Sequence, residues 1–355
     1  MTSEIFKDLK VVELASVLAG PSVGMFFSEL GAEVIKFENA LTKGDVTRSW
    51  KLPSEKKEDI SAYFSSINFG KKHYLVDYNL RDDMDKVIGS IRDADIVICN
   101  FKEGLAKRFN LDYKHLSTIN PKMVYAQLTG FESTKERVAF DVVLQAECGY
   151  MFMNGDKDSP PTKMPLAFMD VLAAHQMKEG ILTALIKRYK TNKGSYVECS
   201  LEKSGLASLV NQASNYLMAN HVPQRIGSLH PNIAPYGEIF RTADNKQIVL
   251  AIGSDKQFEK LCNLLIINSH QEEKFSTNKS RVKNRIELAR ILNLKISQLK
   301  SDFFLENCHK NQIPVGQIKN MKEVFENPTA KSMILEEKIE NTQTKRISSI
   351  AFKIH

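Results

Sequence analysis

The apolar positions of the first part of the chain fall into two alternating patterns. Short runs read as strands: "KVVEL" (10–14), "AEVIKFE" (32–38), "HYLVDY" (73–78), "DIVICN" (95–100) and "KMVYAQL" (122–128). They are rich in β-branched and aromatic residues, which suit a pleated, half-buried surface. Helical patterns separate them. Pro21 opens "PSVGMFFSEL" and Gly31 closes it, the positions these two residues favour. "LRDDMDKVIGSIRDA" (80–94) is amphipathic. Strands this short and apolar need cover on both faces, so they predict a parallel sheet with helices on each side. In such sheets ligands bind at the carboxyl ends of the strands.

Further along, Met169 to Tyr189 predicts a long helix, "SYVECS" (195–200) a sixth strand, and "LEKSGLASLVNQASNYLMAN" (201–220) one more helix. "HVPQRIGSLHPNIAPY" is rich in proline and glycine and reads as a linker. "GEIFRTADNKQIVLAIG" reads as a hairpin turning at "ADNK", Lys256 to Lys310 as a charged helical region, and "QIPVGQI" as a late strand. The predicted fold class is α/β: a Rossmann-like large domain at 1–222, a smaller α+β domain at 223–323, and a C-terminal segment, 324–355, returning to the large domain.

Composition narrows the class. Of 355 residues, 43% are hydrophobic and 26% charged, as in soluble globular proteins. No apolar run is long enough for a membrane span, and the N-terminus has no basic-then-apolar signal pattern. Five scattered cysteines form no CxxC pair, which argues against a disulfide framework and against a zinc site. The expected compartment is the cytoplasm, with no membrane partner. The net charge of +7 suits nucleic acid, an anionic membrane or a polyanionic small ligand, and equally an ordinary basic cytosolic protein. Nucleic acid is disfavoured, because no helix-turn-helix, RNP or zinc-finger signature occurs.

The loop "ASVLAGPSVG" joins a strand to a helix and offers backbone N–H groups to an anion. It lacks the GxGxxG spacing of a nicotinamide site and the GxxxxGKS of a P-loop. Lys36, Lys71, Lys72, Lys102 and Arg108 fall near predicted strand ends, where they suit a ligand with several phosphates or simply a solvated surface. Asp170, in "PLAFMDVLAAHQ", stands where an extended segment turns into a helix. Composition alone favours a helix cap; the alternative is a reactive carboxylate. No nucleophile elbow supports a Ser-His-Asp reading of His175, and no cluster has metal-ligand spacing.

The chain resembles the class III CoA-transferases, a family that includes formyl-CoA and carnitine CoA-transferases and α-methylacyl-CoA racemase. The resemblance runs through "LKVVELASVLAGPSVGMFFSELGAEVIKFENALTKGDVTRSW", "DADIVICNFKEGLAKRF", "AFDVVLQAECGYMFMNG" and "PLAFMDVLAAHQMKEGILTALIKRYKTNKGSYVECSL", and returns in "QIPVGQIKNMKEVFENP". It covers nearly the whole chain in order. It implies that Asp170 is the nucleophile, passing through an aspartyl-acyl anhydride and then an aspartyl-CoA thioester. Coenzyme A, the carrier, would contact Val17, Leu18 and Ala19, then Asn39, Lys72, Val76 and Asn79, then Asn100, Phe101, Lys102 and Arg108. Arg137, Val138, Ala139 and Phe140 would lie near the pantetheine. The implied partners are an acyl-CoA donor, a carboxylic acid acceptor and a second copy of the chain in an interlocked homodimer; no metal is implied.

The chain departs from formyl-CoA transferase at Leu18, where that enzyme has Gln, and at Asn39, where it has a basic residue. "TGFESTKERVAFD" is shorter than the usual form, and no glycine-rich loop occurs between Pro231 and Leu264. These departures argue against oxalate or formate specificity. The alternatives are a racemase and a CoA-binding protein without turnover. The racemase reading is disfavoured by Phe140, which replaces the histidine that would move the α-proton.

Overall fold

The computed structural model describes residues 4–133 and 137–354. The chain divides into two compact units: 1–150, 163–222 and 329–355 form the first, and 151–162 with 223–328 the second.

The first unit is built on a six-stranded sheet of β1 (Lys10–Leu14), β2 (Glu33–Asn39), β3 (Lys71–Val76), β4 (Ile96–Cys99), β5 (Val124–Thr129) and β6 (Ser195–Ser200). All neighbours are parallel, in the order β3-β2-β1-β4-β5-β6. This is the doubly wound order, and its direction reverses between β1 and β4. The period of two sends side chains to two cores. Val11, Ile96, Ile98, Val124 and Ala126 pack under the helices Ala19–Glu29 and Phe168–Thr191. Val12, Leu14, Val97 and Cys99 pack with Val87 and Ile91 of the helix Arg81–Arg92 and Leu116 of the helix Tyr113–Ile119.

The helix expected to open at Pro21 begins two residues earlier, at Ala19. Proline is tolerated throughout a first turn, where N–H groups have no intrahelical acceptor. The single helix expected over 201–220 is two, Leu201–Ala207 and Val210–Ala219.

Charges lie inside this unit. The Lys36 ammonium, fully buried, meets Glu13 Oε1 at 2.8 Å, Asp45 Oδ2 at 3.1 Å and the Ala15 carbonyl at 2.6 Å. The buried Lys71 ammonium meets Glu13 Oε2 at 2.8 Å and the Pro21 carbonyl at 2.8 Å. Burial pulls Lys36 down, but Glu13 and Asp45 outweigh it and hold this lysine above its ordinary range. Lys71 is drawn down to about 8 by burial, with Lys36 adding to the effect and Glu13 opposing it. A Cβ on Gly24 would stand 2.0 Å from Glu13 Oε2, so only glycine lets the first helix pass this carboxylate. Lys36 and Lys71, expected near a phosphate ligand, are therefore internal counter-ions.

A C-terminal hairpin, β10 (Ile334–Ile339) and β11 (Thr342–Ile347), returns to the first unit. Arg346 pairs with Glu29, Glu340 with Arg48 at 3.0 Å, and Glu337 accepts the Gly70 N–H at 3.0 Å. The second unit holds an antiparallel sheet in the order β7-β8-β9, of β7 (Tyr236–Arg241), β8 (Gln247–Ala251) and β9 (Val315–Gln317). The β7–β8 hairpin and the late strand agree with the sequence pattern. Phe258, Leu261, Leu292 and Phe304 form the core beneath it.

Candidate active site

A groove of about 580 Å³ opens at the point where the strand order reverses. Four pieces of backbone shape it: the turn after β1, the turn after β4, the outer face of β5 and β6, and the segment 137–141. Asp170 also lines it.

The turn after β1 is held from two sides. Asn100, after β4, accepts the Ser16 N–H at 3.2 Å and donates to the Ser16 carbonyl at 2.8 Å. Asp45 accepts the Val17 N–H at 3.2 and 3.3 Å through its two oxygens. Val17 lies at φ +71°, the left-handed region that a β-branched residue rarely enters. The helix Ala19–Glu29 follows, and the Ala19 N–H at its first turn faces the Asp170 carboxylate and draws its pKa down. That N–H has no intrahelical acceptor, so Asp170 completes the helix end and sits in the favourable field of its dipole.

Asp170 does not cap its own helix. It is the third residue of Phe168–Thr191, and Ala167 at the N-cap position makes no side-chain cap. Asp141 does that work from another element: its Oδ1 accepts the Met169 N–H at 2.7 Å, and its Oδ2 accepts Gln145 Nε2 at 2.7 Å. The cap expectation for Asp170 is thus overturned, because the free N–H is already taken. Burial, then the Asp141 carboxylate, push the Asp170 carboxyl up to about 7, against the pull of the Ala19 N–H. Burial also pushes the Tyr63 phenol up to about 12, with the charges of Asp170, Asp141 and Asp45 adding to it.

Several sequence candidates meet at the groove. Val17, Ala19, Asn100, Phe101, Lys102, Arg137, Val138, Ala139 and Phe140 all line it. Gln127 Nε2 donates to the Phe101 carbonyl at 3.0 Å and fixes the turn after β4. Arg137 pairs with Glu147 and lies 4.2 Å over the Phe131 ring. A Cβ on Gly130 would come within 2.1 Å of Ala139 Cβ, so glycine permits the close passage of 137–141. Of the shortened stretch "TGFESTKERVAFD", residues 134–136 lie outside the described residues.

Other candidates lie away from the groove. Lys72 is at the amino end of β3, opposite to the ligand end, and pairs with Glu33 at 2.5 Å. Val76 is 1% exposed in the core. Asn79 turns back onto Asp77 at 2.8 Å. Asn39 accepts the Leu41 N–H at 3.0 Å and caps a single turn of 3-10 helix. Leu18 is the N-cap position of the first helix and does not line the groove, unlike its neighbours. Arg108 is exposed, with its guanidinium 5.5 Å from the Phe109 ring centre. Lys107 lines the groove in its place, since successive residues of the helix Glu103–Arg108 point about 100° apart.

The sequence reading passed over the groove's floor. Tyr125 and Gln127 of β5 stand beside Tyr196 and Glu198 of β6, with Tyr113 and Lys114 at the wall. The Tyr125 and Tyr196 rings stack at 6.0 Å, and Tyr113 lies 5.3 Å from Tyr196. The available signal was the alternation in "VYAQLT" and "SYVECS", which puts polar residues on one face. Among the described residues no group of three His, Cys, Asp or Glu could hold a metal ion, and no helix is long and apolar enough to cross a membrane.

A doubly wound sheet with a groove of this volume at its switch point, lined by Asp170 among other acids, defines an α/β enzyme with room for an extended ligand. The chain belongs to CoA-transferase family III, whose model matches residues 6–355. It is 37% identical over 329 residues to the succinate–glutarate CoA-transferase of Agrobacterium fabrum, covering 90% of this chain and 81% of that one. It is 33% identical to the human succinyl-CoA:glutarate CoA-transferase, over 90% of this chain and 73% of the relative. A CAIB/BAIF family protein from Brucella suis has a solved structure with a TM-score of 0.86 and 35% identity. That match covers 99% of this chain and 93% of the other. The chain is accordingly a CoA-transferase, as the resemblance in its sequence implies.

The raised Asp170 carboxyl has a consequence for stability. The unfolded carboxyl ionises near its ordinary 3.8, the folded one near 7. The stability it contributes is full below about 4 and is lost as pH rises through about 7. Asp170→Asn removes that loss. Chemical denaturation should find the variant more stable than wild type at pH 8, by on the order of 1–3 kcal/mol, with the difference shrinking toward pH 4.

Proposed function

We propose that Asp170 is the nucleophile of a CoA transfer between two carboxylic acids. One observation carries the reading: a carboxylate that lines the groove and caps nothing in its own helix. A carboxylate oxygen of Asp170 attacks the thioester carbon of the acyl-CoA donor, and the C–S bond breaks. An aspartyl-acyl anhydride and CoA thiolate result. The thiolate attacks the aspartyl carbonyl carbon, releasing the donor's acid as a carboxylate and leaving an aspartyl-CoA thioester. The acceptor carboxylate attacks that thioester, giving a second anhydride, and the thiolate then takes the acceptor's acyl carbon and restores Asp170. Covalent catalysis divides one difficult exchange into easier steps. The Ala19 N–H, with the helix dipole behind it, is placed to stabilise charge on the aspartyl oxygen when the aspartyl carbon becomes tetrahedral, in the second and third steps.

Coenzyme A is the carrier in this reading. The turns after β1 and β4, with Lys102, Lys107 and the 137–140 segment, hold it along the groove. Relatives named for succinate, glutarate and mesaconate support a dicarboxylic acyl group. A homodimer fits the apolar side chains of Leu217 and Met218, exposed on the helix Val210–Ala219. The five free cysteines suit a reducing cytoplasm. Phe140 lines the groove and carries no proton to exchange, so the racemase reading gains nothing.

Three sets of measurements test these readings. With succinyl-CoA as donor and glutarate among the acceptors, Asp170→Asn should lose transfer by at least about a thousandfold while the fold persists. Wild type incubated with donor should carry CoA on the Asp170 peptide, removable by hydroxylamine. The kcat/KM of the wild type should rise with pH through about 7, as the carboxylate forms. Full transfer by Asp170→Asn sinks the mechanism. Secondly, Lys107→Ala should weaken CoA about tenfold and flatten its salt dependence, with Arg108→Ala within about twofold of wild type; the reverse order refutes this placement. Thirdly, mass photometry at nanomolar concentration should find dimers, and a folded monomer population contradicts that assembly.

A further inference from the structure

The turn Ala15 to Ala19 contains a residue in the wrong conformation for its type. Val17 stands at φ +71°, a region sparsely populated by β-branched side chains and held only where surroundings over-determine it. The surroundings here are Asp45, 4% exposed and distant in sequence. Its two carboxylate oxygens accept the Val17 N–H at 3.3 and 3.2 Å. Oδ1 also accepts the Thr47 N–H at 3.1 Å and its hydroxyl at 2.8 Å, and Oδ2 lies 3.1 Å from the Lys36 ammonium. The Asp45 N–H donates to Glu38 Oε2 at 2.7 Å. The same Lys36 ammonium donates to the Ala15 carbonyl at 2.6 Å. One buried ion pair thus grips the turn at both ends of Ser16, and two residues past Val17 comes the N–H that meets Asp170.

We infer that Asp45 is a positioning residue for acyl transfer: anchored on Lys36, its carboxylate keeps the Val17 amide in the left-handed conformation and so aims the Ala19 N–H at Asp170. This rests on the reading of Asp170 as nucleophile. Asp45 touches no substrate. It acts by fixing a donor whose absence leaves the reacting carboxylate without its stabilising partner. A glycine at position 17 could take this φ unaided; valine cannot, so the turn depends on a distant side chain. An Asn in place of Asp45 keeps the shape, but its NH₂ must face either Lys36 or the Thr47 and Val17 donors, so the grip fails without a cavity.

The test reads Asp170 directly. Its carboxyl is followed by ¹³C NMR of aspartate-labelled protein, the resonance being assigned by its loss in Asp170→Asn. Groups facing it are the Asp141 carboxylate, the Tyr63 phenol and the Ala19 N–H. Of these the N–H is the one whose placement the Asp45 grip sets; the Tyr63 phenol feels Asp45 through charge alone. In Asp45→Asn the Asp170 titration should move to higher pH, kcat should fall at least about tenfold, and KM for acyl-CoA should change by less than about threefold. In the Val17→Gly background the same Asp45→Asn change should cost less than about threefold, because glycine holds the turn without help. A folded Asp45→Asn with an unmoved Asp170 titration and kcat within about twofold of wild type overturns the inference. So does an equal loss in both backgrounds. Should the variants not fold, amide exchange in wild type decides: Val17 and Ala19 should exchange slowly and together, and fast exchange at Val17 refutes the grip. A shifted titration together with an active Asp170→Asn would leave the positioning role standing and refute the nucleophile instead.

Discussion

The molecule's organisation turns on a lysine ammonium that has no access to water. Lys36 lies inside the sheet with Glu13 and Asp45 as counter-charges, and Glu13 is shared with Lys71. Burying such charges costs several kcal/mol per ion, and only close geometry with every proton accepted recovers it. Hydrophobic residues of the same volume could pack as well. What they could not do is hold backbone. Lys36 takes the Ala15 carbonyl, Asp45 the Val17 N–H and Lys71 the Pro21 carbonyl. Three of the four ions therefore fix a different atom of one strand-to-helix turn, and Glu13 holds the two lysines between them. Breaking one partner leaves the others buried and unpaired, an expensive defect of about 3–5 kcal/mol.

The same logic separates two aspartates of similar setting. Asp141 and Asp170 both approach the start of the long helix, but only Asp141 spends its oxygens on the local scaffold, on Met169 N–H and Gln145. Asp170 reaches across to a different helix end. Its pairing with a single N–H, its burial and its acidic neighbour leave it close to the balance between neutral and charged forms. A carboxylate too well solvated is a poor nucleophile, and one held neutral is none. For the nucleophile we propose, a value near neutrality lets the group ionise while keeping its charge poorly shielded.

The inner strands were legible because β1, β4 and β5 are buried on both faces and carry an apolar signature, and the edge strand "SYVECS" through its alternation; "DIVICN" and "SYVECS" became strands almost to the residue. The hairpin at "ADNK" was equally plain. The C-terminal hairpin was not, since "ILEEKI" and "TQTKRI" are mostly polar and bury little beyond Ile339, Thr344 and Arg346. Around the site, resemblance pointed to Asp170 and to turns that line one groove with it. Reading lysines by their nearness to strand ends failed for Lys36, Lys71 and Lys72. A strand's two ends look alike in sequence, and an inward-facing lysine differs from an outward one only through partners such as Glu13 and Glu33 that pattern cannot pair. Arg108 failed by one residue, the margin at which a helix changes face.

Asp45 shows the limit in another form. In sequence it is one acid in "KGDVTRS", suited to capping the short turn Val46–Ser49, and it does cap it through the Thr47 N–H. Local reading stops there, satisfied. The second oxygen and the remaining lone pairs go to Lys36 and to Val17, residues brought near only by the stacking of β1 beside β2. A carboxylate has about four acceptor sites, and a cap uses one or two of them. When such a group is buried, the unused sites must find donors, and those donors are necessarily distant in sequence. The surplus capacity of a buried cap is what connects a surface-type turn to the backbone of the groove, and it is invisible until the strands are paired.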